Sequence, residues 1–283
     1  MVNQKLVEII QDKAALMRRD VIEMGYAAGG HGAHFGPALS SIEIVASLFF
    51  EIMNHDPGNP RMAERDRFVL SKGHACLAYY AALVETGYIT KEQMYTFKGD
   101  NSFLSGHPSL NIKYGLEVST GSLGNGLAIA CGMAKAAKIK KENHKVYCVV
   151  GDGECNAGII WEAAMNGAKN KLDNLVAIID RNGVQLAGKT SEIMDFDIEA
   201  AWKAFGWEVF VLTKGNDASS MLEALEKMKN SNSGKPHMII ADTVKGKGIS
   251  FMEDSLSWHA RPMEQEQYEQ AVSDLENAFT GGN

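Results

Sequence analysis

The four cysteines of this 283-residue chain, Cys76, Cys131, Cys148 and Cys155, stand singly inside apolar or motif segments. No C-x-x-C pair exists, so neither a disulfide frame nor a cysteine-built zinc site is expected, and the pattern suits reduced thiols in a cytosol. No apolar run approaches the ~20 residues that a membrane-crossing helix needs, and the opening segment MVNQKLVEII lacks a signal-peptide pattern. A cytoplasmic protein without membrane association is expected. Positive charge is also short: 28 Lys plus Arg against 35 Asp plus Glu leave a net charge of −7. Neutralising nucleic-acid phosphates takes a basic stripe, and the KKENHK run from Lys140 to Lys145 reads instead as a solvated loop, so no nucleic-acid partner is expected. With 45% hydrophobic residues and no repeat, low-complexity segment or linker, residues 1–283 read as a single α/β domain with a polar tail after Phe279.

Apolar spacing supplies the elements. Leu6, Ile9, Ile10, Ala14, Met17, Val21 and Met24 recur at three- and four-residue intervals and predict a helix over residues 4–27, stopped by Gly29 and Gly30. After the loop HGAHFGPALSS, Ser40 or Ser41 can cap a helix through IVASLFFEIM. RFVL (67–70), KVYCVV, LVAIID, WEVFVL and HMIIADT read as strands, separated by helices in ACLAYYAALVETG, from Gly121 to Lys138, and near 197–205 and 217–229. Thr90 and Gln93 form a capping box. Residues 98–119 turn to Gly, Pro, Ser, Asn and His, an irregular stretch of the kind that is usually functional. Strands apolar throughout, alternating with helices, predict a doubly wound, mainly parallel sheet with helices on both faces.

The strand VVGDGE and the strand ending IIDRN place Asp152 and Asn182 at the carboxyl ends of neighbouring strands, where open α/β sheets bind ligands. A lone GDG is an ordinary tight turn; an Asn after a further 28 residues (Glu154 to Arg181) makes it more. The Asp152 carboxylate, the Asn182 side-chain carbonyl and the Val184 main-chain carbonyl form an all-oxygen set suited to Mg²⁺ or Ca²⁺. Gly151 and Gly153 allow close approach of a diphosphate, and the following helix offers it an amino end.

GDG with its spaced Asn resembles the thiamine diphosphate fingerprint of transketolases, and the resemblance runs from about Arg18 to Arg261 with the motifs in the family's order. It implies thiamine diphosphate as cofactor, with contacts from Gly151, Asp152, Gly153, Glu154 and Asn182. HFGPALSSIEI resembles a substrate-contacting loop and assigns His34, although AGGHGAHFGP leaves His31 in competition. SKGHA assigns His74 to diphosphate and reacting carbon, and SGHPS assigns His107 to substrate hydroxyls. GSLGNG resembles the loop over the thiazolium side, with Gly121, Ser122 and Leu123. KGKGISFME and SWHARP bring Lys245 and His259 near the diphosphate and the entrance. At 155–158 the chain reads CNAG where many relatives carry a glutamate that links paired active sites; Ala157 cannot replace it, and Glu162 one turn later can.

The same resemblance implies a missing half. The family draws a glutamate for the cofactor's aminopyrimidine from a separate pyrimidine-binding domain, and no second α/β unit follows in this sequence. The expectation is the N-terminal subunit of a split transketolase, moving a two-carbon ketol unit from a ketose phosphate to an aldose phosphate. Its partner would be a C-terminal subunit carrying that glutamate, in a heterotetramer with two copies of each. Two alternatives are an α-type subunit of another thiamine enzyme (2-oxo acid dehydrogenase or deoxyxylulose phosphate synthase-like) and a nonenzymatic binding module. The sugar stays open among pentose phosphates, branched sugar phosphates and sulfonated sugars.

Overall fold

The computed structural model describes residues 3–280. Its strands β1 (Arg67–Leu70), β2 (Val146–Gly151), β3 (Leu175–Arg181), β4 (Glu208–Leu212) and β5 (His237–Asp242) form one sheet in the order β1-β2-β3-β5-β4, every pair parallel. Helices cover both faces, which explains why the central strands are apolar along nearly their whole length, up to the polar residues at the carboxyl end of β3. In β2, Tyr147 and Val149 enter one core while Val146, Cys148 and Val150 enter the other, and β3 splits in the same way.

Helices α1 (Gln4–Ala27), α2 (Phe35–Leu39), α3 (Ile42–Ser47) and α4 (Cys76–Glu85) contribute to the first core. The short α5 (Lys91–Met94) begins with the expected capping box, Thr90 with Gln93. Helices α6 (Asn125–Lys140), α7 (Gly158–Lys169) and α9 (Ile198–Ala204) contribute to the second core, with the short α8 (Thr190–Ile193) between. Helices α10 (Ala218–Lys229) and α11 (Gln265–Thr280) return to the first core.

Several local expectations change. Ser41 is the N-cap residue of α3, but neither its hydroxyl nor that of Ser40 makes a capping bond, because both turn back to the Pro37 carbonyl and reach the Asp180 carboxylate, and the loop before them contains α2. The helix expected from Gly121 begins only at Asn125, since Gly124 ahead of it takes the left-handed conformation (φ 86°), and it runs on to Lys140. Helix α11 was not expected, although Tyr268, Ala271 and Leu275 lie at helical spacing and pack into the first core. It runs to Thr280, and the rest of the polar tail expected after Phe279 lies outside the described residues.

Residues 98–119 are irregular as expected, broken only by a 3₁₀ turn at Ile112–Tyr114 and one bridge between Asn111 and Leu116. The segment after β5 folds back onto α2, with the Gly246 N–H donating to the Gly36 carbonyl at 3.1 Å. Gly36 is required there, because a Cβ would lie 2.8 Å from the Trp258 carbonyl oxygen.

Candidate functional site

The registers Gly151↔Asp180 and Arg181↔Asp242 align the carboxyl ends of β2, β3 and β5. Beyond β3 the chain turns at Asn182–Val184, and this turn fixes the oxygens at the strand ends. The Gly183 N–H donates to Asp152 Oδ2 at 2.7 Å, and the Val184 N–H donates to Asn182 Oδ1 at 3.1 Å. The other Asp152 oxygen accepts from the Gly153 N–H at 2.8 Å. Asp152, Asn182 and Val184 thus face one cavity of about 310 Å³. Two larger clefts exist, one beside Asp66, His144 and Lys145 at the amino ends of β1 and β2 and one lined by Arg18, Asn216 and Leu275. Chemistry favours the smaller cavity, because the strand-end carboxylate, the amide and four imidazoles converge only there.

The donor set suits a hard cation. Among the described residues no three His, Cys, Asp or Glu side chains converge as a metal site, so a cation here relies on one carboxylate, one amide oxygen and one main-chain oxygen, the ligand types of Mg²⁺ or Ca²⁺. Burial and the neighbouring Asp180 push the Asp152 carboxyl up to about 6. A half-buried carboxylate with two backbone donors and no salt bridge among the described residues is the fit expected of a metal ligand. The Val184 carbonyl is met from behind by Lys245 Nζ at 3.1 Å, and the same ammonium lies 3.0 Å from His259 Nδ1. Lys245 is fully buried, and burial, followed by the charge on Lys72, lowers it to about 8.

Two carboxylates lock the floor together. Asp180 is buried at the end of β3 and accepts from Lys72, Thr243, Ser40 and the Asn182 amide. Glu154 accepts from Ser71 Oγ at 2.5 Å, the Gly124 N–H at 2.6 Å and the Gly151 N–H at 3.0 Å. Its carboxylate is committed to protein donors, so it joins the loops after β1 and before α6 to the end of β2. Sequence reasoning missed Lys72, Asp180 and the cavity residues Pro37, Gln185 and Leu186. An acidic residue two places before the spaced Asn, on an otherwise apolar strand, was the available signal for Asp180.

The opposite wall is imidazole. His34 has ring centroids 5.5 Å from His74, 5.8 Å from His107 and 5.6 Å from His259, and His74 stacks on His259 at 5.2 Å. All four line the cavity, whereas His31 is exposed in the 3₁₀ turn before it. Burial, with nearby cations and imidazoles, lowers His34 to about 4 and His259 to about 3, and depresses His74 and His107 as well. These rings are neutral at pH 7, each with one N–H to donate and one nitrogen to accept. Gly121 and Leu123 line the cavity, but Ser122 does not; its carbonyl and hydroxyl accept from Asn125 Nδ2 at the start of α6. Gly73 permits the SKGH loop to press on this segment, since a Cβ there would lie 2.8 Å from the Gly121 nitrogen. Ala157 is the N-cap of α7, and Glu162 is exposed on that helix.

Comparison with known proteins finds matches over nearly the whole chain. Residues 10–277 match the family described as transketolase, thiamine diphosphate binding domain. The chain is 42% identical over 270 residues to one subunit of the apulose-4-phosphate transketolase of Phocaeicola vulgatus, covering 95% of this chain and 94% of that one. It is 39% identical to a 6-deoxy-6-sulfo-D-fructose transketolase subunit of a Clostridium species, covering 94% and 96%. Among solved structures, transketolase from Campylobacter jejuni superposes with a TM-score of 0.88 at 32% identity, covering 98% of this chain but 43% of its own length.

Proposed function

The chain belongs to the transketolase family as its thiamine diphosphate-binding part, and from that premise we propose that it is the N-terminal subunit of a two-chain transketolase, moving a two-carbon ketol unit from a ketose phosphate to an aldose phosphate. The observation that carries this reading is the Asn182–Val184 turn, which sets the oxygens of Asp152 and Asn182 opposite four neutral imidazoles in one cavity.

In this reading Asp152, Asn182 and the Val184 carbonyl hold Mg²⁺ or Ca²⁺, and Gly151 and Gly153 let the diphosphate approach the backbone. Bound thiamine diphosphate supplies the electron sink for breaking the carbon–carbon bond. The chain's own residues orient and move protons. His74 and His259 lie on the Lys245 side and serve the diphosphate and the entrance, while His34 and His107 donate to or accept from sugar hydroxyls. Their depressed basicity keeps an acceptor nitrogen free at neutral pH. Gly121 and Leu123 contact the cofactor's ring side.

The names of the two same-length relatives, each a transketolase subunit, support a partner chain; in this reading that chain supplies the pyrimidine-binding glutamate, in a cytoplasmic heterotetramer with two copies of each. Exposed Leu186, Ile193, Met194 and Phe196 on the segment beyond the Asn182–Val184 turn suit contact with such a partner. Those relatives are named for a branched sugar phosphate and a sulfonated sugar, so these sugars stand beside the pentose phosphates as substrates to try. The test is an assay of the purified chain with thiamine diphosphate, Mg²⁺ and each sugar, with and without the partner encoded beside it. Activity only in the mixture is expected; full turnover by the lone chain would contradict the reading.

A further inference from the structure

A side-chain amide can be turned over with little change of shape unless a neighbour distinguishes its oxygen from its nitrogen. At Asn182 two neighbours touch the amide nitrogen: Ser40 Oγ at 3.4 Å and Asp180 Oδ2 at 3.2 Å. A hydroxyl donates or accepts and discriminates nothing. A carboxylate only accepts, so the edge of the amide turned toward Asp180 has to be the NH₂. Asp180 is itself held by the Lys72 ammonium, by Thr243 and by Ser40 Oγ at 2.6 Å, and it is fully buried behind the cavity rather than lining it. On the other edge the Val184 N–H donates to Asn182 Oδ1 at 3.1 Å and asks for the same orientation, leaving that oxygen a second lone pair, while Asp180 supplies the only charged group that holds the NH₂ edge among the described residues.

We infer that Asp180 is a positioning residue that fixes Asn182 with its carbonyl oxygen, rather than its NH₂, presented to the metal; this rests on the metal reading above. Outer-shell partners of this kind typically contribute about 10–100-fold to metal affinity.

The experiment uses the full chain assembled with its partner and follows Mn²⁺ binding in the presence of thiamine diphosphate by electron paramagnetic resonance, with Tm measured in parallel. In Asp180→Asn the Lys72 ammonium holds the new amide oxygen where Asp180 Oδ2 stood, so the Asn182 NH₂ keeps its acceptor and Mn²⁺ affinity should stay within about tenfold of wild type. Asp180→Leu with Lys72→Met removes that acceptor and the buried charge together and should weaken Mn²⁺ binding by about 10–100-fold. A purely structural role predicts that affinity simply follows Tm in both variants. Should that double variant fail to fold, Lys72→Met with Asp180→Asn frees the new amide to turn either edge toward Asn182 and should weaken binding in the same direction. Wild-type affinity in the folded double variant, or a loss in Asp180→Asn as large as in the double variant, overturns the inference alone. A wild-type complex that takes up no Mn²⁺ with thiamine diphosphate overturns the metal reading as well.

Discussion

Two lysines are buried beside the same cavity, and they differ in what surrounds their charge. Lys72, on the floor, ends on the carboxylate of Asp180, which also gathers Ser40, Thr243 and Asn182. Lys245, behind the cavity wall, hydrogen-bonds among the described residues to the carbonyls of Val184 and Gln185 and lies against the imidazole of His259. The first charge is neutralised inside the protein and serves rigidity. The second forms no ion pair among the described residues, and its lowering to about 8 by burial and Lys72 outweighs the more distant Asp152 and Asp180. A dianionic group bound beside Val184 and His259 would supply an ion-pair partner, so Lys245 is the lysine suited to ligand binding.

Four outcomes would sharpen or break this contrast. Lys72→Met should have the largest effect, because it leaves Asp180 buried and unpaired; the expected cost is about 3–5 kcal/mol, a fall of roughly 10 °C in Tm by calorimetry. A Tm near wild type would erase the distinction between the two lysines. Replacing His107 with Ala should leave Tm unchanged and, with the partner present, lower turnover by about 10²-fold if the ring moves a proton. Wild-type turnover would reduce His107 to a wall residue. Lys245→Met should leave stability unchanged or higher while thiamine diphosphate affinity drops by about tenfold, the scale of one charge-assisted hydrogen bond. Titration calorimetry separates that result from a loss of fold.

The smallest effect concerns pH. His34 and His259 fall from about 6.5 to about 4 and about 3 in the folded chain. The unfolded chain therefore binds more protons in that window, and the stability these rings contribute is present above pH 6.5 and lost as pH falls toward 4. Asp152, pushed up to about 6, has the opposite sign: its contribution to stability grows as pH falls from about 6 toward 4. Tm profiles of His34→Asn and Asp152→Asn should accordingly diverge from wild type in opposite directions below pH 6.5. Parallel profiles would contradict the burial of these groups.

The floor was readable where chemistry is local. Burial of β2 and β3 on both faces, the GDG turn and the spaced Asn are short-range features, and the sequence names them directly. Partners brought together by the fold were not readable: Lys72 and Asp180 lie 108 residues apart, and a Lys in SKGHA or an Asp before a turn reads as ordinary surface chemistry. Ser40 and Ser41 misled for the same reason, since a serine before a helix resembles a cap until a distant carboxylate claims its hydroxyl. Glu154 follows GDG as though aimed at a ligand, yet Ser71 and Gly124 occupy one of its oxygens. Nothing in the spacing of His34, His74, His107 and His259 gathers the other three rings around His34; the resemblance to transketolases carried that expectation.

The most direct test of the diphosphate-site account is titration calorimetry of thiamine diphosphate into the partner-bound chain, with and without Mg²⁺, for wild type and Asp152→Ala. The account predicts metal-dependent binding in wild type and none in Asp152→Ala at unchanged Tm. Equal affinity in the two proteins would contradict it.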